Sequence, residues 1–527
     1  MKTSTHWADI NAAKIIREKG DKEQYTCASG ITPSGTVHVG NFREIISVDL
    51  VVRALQDLGK NVRFLYSWDD YDVFRKVPSN VPDQAAWEQY LRWPITLVPD
   101  PMGVEESYAR ANEVELESQL ARVGIEPDYI YQANEYRSFR YAPGIRAALE
   151  QRDTIREILN RFRTSPLPDE WWPVSVFSRF TNRDTTRVVS WDGEWSLTYH
   201  CDETDQDDTI DLRETGYAKL PWRIDWPMRW REEQVDFEPA GKDHHSEGGS
   251  FDTARHISKE VFQWDPPVTF QYDFISIKGR GGKMSSSSGE VISLRDVLEV
   301  YQPEVLRYLF AGTRPNSEFA ISFDLDVIKL YEDYDRCERI YFNQEHVAAK
   351  RAEKEKRIYE LSQVGHVPTA LPAQIPFRHL CNLLLIHGGD RDAALAAMPG
   401  FDRLEGHQTD TARQRATCAW NWITEFAPED FRFTVVDPDT TAPVAMSDNE
   451  RQAIRGLNDY VAEGLDDRSD RDVQNAIYEL ARTAGLEPKD FFPVLYTALV
   501  GKEQGPRLGG FLKTLGQERV TTILGRY

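Results

Sequence analysis

The sequence predicts an α/β protein: a parallel-sheet domain interrupted by a β-rich insertion and followed by an all-α C-terminal region. Three observations carry this. Strand, helix and strand patterns follow one another over residues 25–68, the character of the chain changes over residues 164–219, and beyond Pro303 the periodicity is helical nearly to the end.

Residues 25–30 form a short strand-like run ending in Ser-Gly. After the turn Thr32-Pro33-Ser34-Gly35 a helix is expected from near His38, with Phe42, Ile45, Ile46, Val48 and residues 50–52 as its apolar side and Gly59 as its stop. Residues 62–68 read as the next strand. A strand, a helix and a strand of these lengths make a βαβ unit, which requires a parallel sheet and a right-handed crossover. A helix over residues 107–123 and a strand at Tyr129-Ile130-Tyr131 extend the alternation. The Trp171-Trp172 pair, short β-rich runs and an acidic patch at residues 202–211 mark the insertion, after which the α/β pattern resumes from Trp222 to about Asp296. Pro-containing breaks at residues 367–376 and 438–443 read as linkers.

The 527 residues fit roughly three or four domains by the usual length prior. Apolar content of 40% beside 28% charged residues is that of a globular chain with a substantial core. No stretch approaches the roughly eighteen apolar residues of a membrane helix, and the start lacks the apolar core of a signal peptide, so a cytoplasmic protein is expected. Five scattered cysteines without a CxxC pair read as reduced thiols. The net charge of −22 weighs, at face value, against a nucleic-acid partner, although an acidic protein still has room for a local basic face.

Three segments carry chemistry. In an open parallel sheet, ligands sit beyond the carboxyl ends of strands, where helix N-termini present free N–H groups and a positive dipole end. Pro33-Ser34-Gly35-Thr36-Val37-His38-Val39-Gly40-Asn41 stands at such a place. Gly35 and Gly40 let backbone approach a nucleotide, His38 is placed to donate to phosphate oxygens, and Asn41 supplies an amide on the same turn. The bland alternative is a turn with an incidental helix-start histidine, and taken alone the motif does not exclude it. Lys283-Met284-Ser285-Ser286-Ser287 follows Gly279-Arg280-Gly281-Gly282. One ammonium and several hydroxyls on a glycine-rich loop suit transient clamping of a triphosphate, against the plainer reading of a solvated linker. Between them, Gly241-Lys242-Asp243-His244-His245 offers a carboxylate for ribose hydroxyls beside a glycine that leaves room for the sugar. A metal site there would need a further Cys or His cluster, so no metal ligand is assigned.

In this order the segments resemble the HIGH and KMSKS signatures of class I aminoacyl-tRNA synthetases. With Ser67-Trp68-Asp69-Asp70-Tyr71-Asp72 and Lys219-Leu220-Pro221-Trp222-Arg223-Ile224-Asp225-Trp226-Pro227 added, the chain resembles the class I lysyl-tRNA synthetase family over residues 25–308, and more loosely through the C-terminal helices. There Tyr496-Thr497-Ala498-Leu499-Val500-Gly501 and Gly505-Pro506-Arg507-Leu508 are similar to the end of a helical anticodon-binding cage.

The resemblance implies a Rossmann-type catalytic domain in two halves (1–163 and 222–300), an inserted connective domain that meets the acceptor stem (164–221), a stem-contact region (301–345) and an α-helical anticodon-binding domain (346–527). It implies that lysine attacks the α-phosphate of ATP, that the lysyl group passes to the 2′-hydroxyl of the terminal adenosine of tRNA(Lys), that ATP comes with Mg²⁺, and that activation depends on bound tRNA. By position, His38, Asn41 and Lys283 are the catalytic residues. Pro33, Ser34, Gly35, Gly40, Gly241, Asp243, Met284, Ser285, Ser286 and Ser287 complete the ATP site. The lysine site is expected from Gly30, Thr32, Asp69, Asp70, Trp222, Trp226, His244 and Tyr272, because an ammonium wants a carboxylate and an aromatic face. Which acid takes the side-chain ammonium and which the α-amino group stays open. The tryptophans are alternatively ordinary core.

The chain departs from the family in three places. Asn41 replaces the last His of HIGH and Ser286 the second Lys of KMSKS. Val174-Ser175-Val176-Phe177-Ser178-Arg179 stands where many relatives carry the first cysteine pair of a zinc ribbon, and Cys201 alone answers the second. One cysteine does not make a tetrahedral site, so no structural zinc is expected, with Trp171, Trp172, Trp191 and Trp195 packing in its stead. The competing readings are a glutamate or glutamine synthetase, a paralogue that binds tRNA or an amino acid without charging, and a small-molecule adenylyltransferase.

Overall fold

The computed structural model describes residues 5–78, 81, 83–278 and 291–527; the Lys283-Met284-Ser285-Ser286-Ser287 motif lies outside the described residues. The chain divides into two units: Met1–Val297 with Pro303–Ile321 and Asn343–Val367, and Leu298–Gln302 with Ser322–Phe342 and Pro368–Tyr527.

The first unit is built on the expected alternation. In chain order it runs β1 (Tyr25–Ile31), α1 (Val39–Asp57), β2 (Val62–Trp68), α2 (Tyr108–Arg122), β3 (Asp128–Tyr131) and α3 (Gln132–Arg137). The insertion contributes β4 (Thr186–Trp191), β5 (Ser196–Cys201) and β6 (Gln206–Asp211), after which come α4 (Trp222–Glu232), β7 (Val235–Phe237), β8 (Ala240–Gly241), α5 (Lys242–His245), α6 (Ser250–Glu260), β9 (Gln271–Tyr272), β10 (Ile275–Ile277) and β11 (Phe319–Ile321). The main sheet is parallel, in the order β3-β2-β1-β7. From β1 the chain steps one way to β2 and β3, and later the other way to β7. The carboxyl end of β1 is therefore the topological switch point, the place where an open α/β sheet leaves a crevice.

Helix α1 is apolar on nearly every side because it is buried on nearly every side. Phe42, Ile45, Ile46, Val48, Leu50, Val51 and Leu55 are all in the core. Its buried Asp49 is paired where it sits: it accepts from Arg307 at 2.6 Å, and Arg307 also donates to the carbonyls of Val123 and Leu361, each at 3.0 Å. Ser107 caps α2 by accepting the Arg110 N–H at 3.1 Å, satisfying one of the orphan donors of a helix start.

The insertion is an antiparallel meander, β4-β5-β6. Leu197, Tyr199, Cys201 and Ile210 point inward, and Trp171, Trp172, Trp191 and Trp195 pack against the same core. Val174, Val176 and Phe177 are buried there too, so apolar side chains fill the region around the lone Cys201.

The second unit is helical. Among its helices are Asp326–Tyr341, Phe377–Ile386, His407–Glu425, Asp448–Ala462, Asp470–Thr483, Pro488–Val500, Leu508–Leu515 and Gln517–Leu524. Capping boxes at Ser447 with Glu450 and Ser469 with Asp472 start two of them. Arg415 joins three segments by pairing with Asp335 at 2.8 Å and donating to the Ile375 carbonyl at 2.6 Å. No described helix is long and apolar enough to cross a membrane.

Candidate active site

A cavity of about 250 Å³ opens at the switch point. Its walls come from the end of β1 (Ser29, Gly30, Ile31), the start of α1 (His38, Gly40, Asn41, Glu44, Ile45), Tyr66 of β2, Gly241 with Asp243 and His244 of α5, and Tyr272, Phe274 and Ile275 of the β9–β10 segment. Two of the three segments singled out in the sequence thus meet in one place.

Each contributor has a local reason to be there. His38 is the residue before the first turn of α1, in extended backbone (φ −80°, ψ 159°), so the positive end of the helix dipole lies beside the cavity; in that turn the Val39 N–H donates to the Ile292 carbonyl at 2.8 Å and the Asn41 N–H to the His38 carbonyl at 2.9 Å. The Asn41 side-chain oxygen is buried with no hydrogen-bond partner among the described residues, which leaves the amide to a ligand. Gly30 is required by close packing: a Cβ there would lie 2.7 Å from the Ser67 carbonyl oxygen on β2. Gly241 starts α5, and its neighbour Tyr272 closes one wall.

The cavity also holds a carboxylate that motif reading missed. Glu44 accepts from the Ser29 hydroxyl at 2.7 Å, the Gly30 N–H at 3.4 Å and the Tyr272 hydroxyl. Burial pushes its carboxyl above the usual carboxylate range, and those three donors act against the shift. Among the described residues Glu44 has no cationic partner. Behind it Glu238 is buried as well; burial first, then the charge of Glu44, raise it to about 7, while the Trp230 indole donates to it at 2.6 Å.

The acids expected at the lysine site are placed otherwise. Asp69 pairs with Arg229 at 2.6 Å. Asp70 accepts the Ala133 N–H at 2.8 Å and lines a different cavity, of about 360 Å³, with Glu113, Arg110 and Arg137. Asp72 is bound to Lys219 and accepts from Thr32 at 2.7 Å, which also fixes the Thr32 side chain. None of the three lines the cavity at the switch point. Trp222 is 38% exposed and meets Trp226 edge-on at 4.8 Å and His244 at 5.5 Å, so this aromatic group reaches the cavity through His244. Pro33 and Ser34 sit in the turn ahead of α1, where their carbonyls accept from Asn112 and Tyr108 of α2. Gly35 shares that turn.

Glu44 was hard to find from sequence because a glutamate inside a helix reads as a solvated face. The available signal was its position: residues 40, 41 and 44 lie on one side of a helix, so Glu44 follows Gly40 and Asn41 into the same space.

The helical unit has its own groove of about 1480 Å³. Arg378, His379, Asn382, Arg471, Arg507 and Lys513 bring basic and amide groups to it; Glu332, Asp430 and Asp470 are its acids. Tyr478 and Phe492 stand there with ring centroids 5.1 Å apart, and Tyr496 donates to the Pro506 carbonyl at 2.7 Å.

Residues 5–365 match the family model described as tRNA synthetases class I (K), and residues 422–524 match that of an anticodon binding domain. The chain is 53% identical over 531 residues to a lysine–tRNA ligase of Treponema pallidum, covering 99% of each chain. It is 53% identical over 527 residues to that of Borreliella burgdorferi, covering 100% of each, and 42% identical to that of Thermococcus kodakarensis, covering 98% of each. The chain therefore belongs to the class I tRNA synthetases and, within that class, to the (K) family.

Proposed function

We propose that the protein is a lysine–tRNA ligase that activates lysine with ATP and transfers it to the 2′-hydroxyl of the terminal adenosine of tRNA(Lys). The observation that carries this reading is the cavity at the carboxyl end of β1, where the HVGN helix start, Asp243 and a buried carboxylate that has no cationic partner among the described residues converge.

In this reading one lysine ammonium enters the cavity and pairs with Glu44, between the rings of Tyr66 and Tyr272. Where the ammonium at Glu44 is that of the side chain, glutamate and glutamine have no counterpart to it, because their only ammonium is the α-amino group. The lysine carboxylate is itself the nucleophile: its oxygen forms a bond to the α-phosphorus while the bond to pyrophosphate breaks. No general base is needed, so catalysis rests on positioning and charge. His38, the Asn41 side chain and the positive end of the α1 dipole serve the phosphates, and Lys283, Met284 and Ser285 to Ser287 are assigned to the same phosphates from their motif alone. Gly241 and Asp243 take the ribose, and Mg²⁺ arrives with the nucleotide as part of the substrate. In the second step the terminal 2′-hydroxyl attacks the lysyl carbonyl and AMP departs.

The same reading gives residues 164–221 to the acceptor end of the tRNA, 301–345 to the stem and 346–527 to the anticodon. Half-exposed aromatic rings beside Arg, Asn and Lys side chains in the helical groove suit unstacked bases. Charging assays with tRNA ending in 2′-deoxy or 3′-deoxyadenosine test the reaction. Lysine is expected on the 3′-deoxy transcript alone; charging of the 2′-deoxy transcript, or none of either, contradicts the reading.

A further inference from the structure

Arg43 follows the HVGN motif by two residues, is 2% exposed, and spends its charge on backbone. One terminal nitrogen of its guanidinium, Nη2, reaches three carbonyls of one turn, Arg314 at 2.8 Å, Pro315 at 2.6 Å and Ser317 at 3.2 Å, while Nε and Nη1 are buried with no hydrogen-bond partner among the described residues. The guanidinium carbon lies 4.8 Å from the ring centroid of Phe319, the first residue of β11. The Pro315 carbonyl also accepts the N–H of Asp273 at 2.9 Å. Asp273 stands between Tyr272 and Phe274, both of which line the cavity. β11 then pairs in parallel with β10, residue for residue from Ile275↔Phe319 to Ile277↔Ile321.

A buried guanidinium nitrogen held by neighbouring carbonyls of one turn is a register device as well as an interaction, because shifting the turn leaves a buried charge and its acceptors unpaired. Here one end of that device is α1, which carries His38, Asn41 and Glu44. The other end is the turn that holds the Tyr272–Ile275 wall. We propose that Arg43 is a positioning residue that sets the Tyr272 hydroxyl on Glu44 by fixing the β9–β10 wall to the HVGN helix. The inference rests on the reading of this cavity as the lysine site.

The test is a double-mutant cycle read in KM for lysine and KM for ATP, in lysine-dependent ATP–pyrophosphate exchange with tRNA present. Arg43→Met is expected to raise KM for lysine roughly ten- to a hundredfold, the scale of a misplaced binding group, with a smaller change in KM for ATP. Arg43→Lys restores part of the loss and serves in the cycle if the Met variant does not fold. Tyr272→Phe is expected to raise KM for lysine by itself, and adding the Arg43 change to it to cost little more, since both act through one hydrogen bond. Additive effects, or equal changes in both KM values tracking a lowered Tm, overturn the positioning role while leaving the site intact. A Tyr272→Phe enzyme with unchanged KM for lysine overturns the site reading itself, and the inference with it.

Discussion

Tyr272 donates its hydroxyl to Glu44 across 228 residues of sequence, joining the β9–β10 segment to the middle of the first turns of α1. This contact assembles the cavity: on one side are the helix start and its dipole, on the other an aromatic wall, and between them a buried carboxylate. Glu44→Gln keeps the shape and removes the charge. Its KM for lysine in the exchange assay is expected to rise by the equivalent of about 2–5 kcal/mol, the cost of breaking a buried, hydrogen-bonded charge pair. An unchanged KM would take Glu44 out of the site.

Asp69 should behave oppositely. It is tied to Arg229, which at 10% side-chain exposure also pairs with Asp225 at 3.1 Å. Arg229→Met leaves two carboxylates without their cation and is expected to destabilise the fold by about 3–5 kcal/mol in denaturant unfolding. Loss of lysine affinity in that variant with full stability would instead make this ion pair part of the substrate site.

Asp70 gives the pH dependence. Burial raises its carboxyl to about 7, against the Ala133 N–H and Arg137 and in the company of Asp69 and Glu113. The folded value lies above the unfolded one, so the group's stabilising contribution is full in acid and is lost as pH rises through about 7. Asp70→Asn, which retains an acceptor for Ala133, should therefore raise Tm at pH 8, with the gain shrinking toward pH 4 in thermal scans. A gain independent of pH would contradict the assignment.

Lys283 lies outside the described residues, and its role is tested by rate. Lys283→Ala is expected to slow adenylate formation by about 10²–10³, the scale of losing one preorganised charge donor. An unchanged rate removes it from the phosphate site.

In the helical groove, Arg471 is exposed. Arg471→Ala is expected to weaken tRNA binding and to lower the salt slope of log K by about 1, as for one lost phosphate contact. Binding with unchanged salt dependence would place the tRNA elsewhere.

Much of the fold was legible because local signals agreed. The strand at 62–68 was read to its residue, and the expected helix at 107–123 differs from α2 by one residue at each end, where Ser107 and Val123 turn out to be caps. The charges were not legible. The acids of Ser-Trp-Asp-Asp-Tyr-Asp look available in sequence, yet their partners stand far away: Arg229 is 160 residues from Asp69, and Lys219 is 147 from Asp72. Sequence spacing shows which residue types are present. Only the fold shows which charges are already neutralised and which, like Glu44, are left facing a cavity.

Lysine-dependent ATP–pyrophosphate exchange, measured across a panel of amino acids with and without tRNA, tests the central claim most directly. Exchange with lysine in the presence of tRNA is the expected result. Exchange with glutamate or glutamine in place of lysine, or tRNA binding with no exchange for any amino acid, would contradict it.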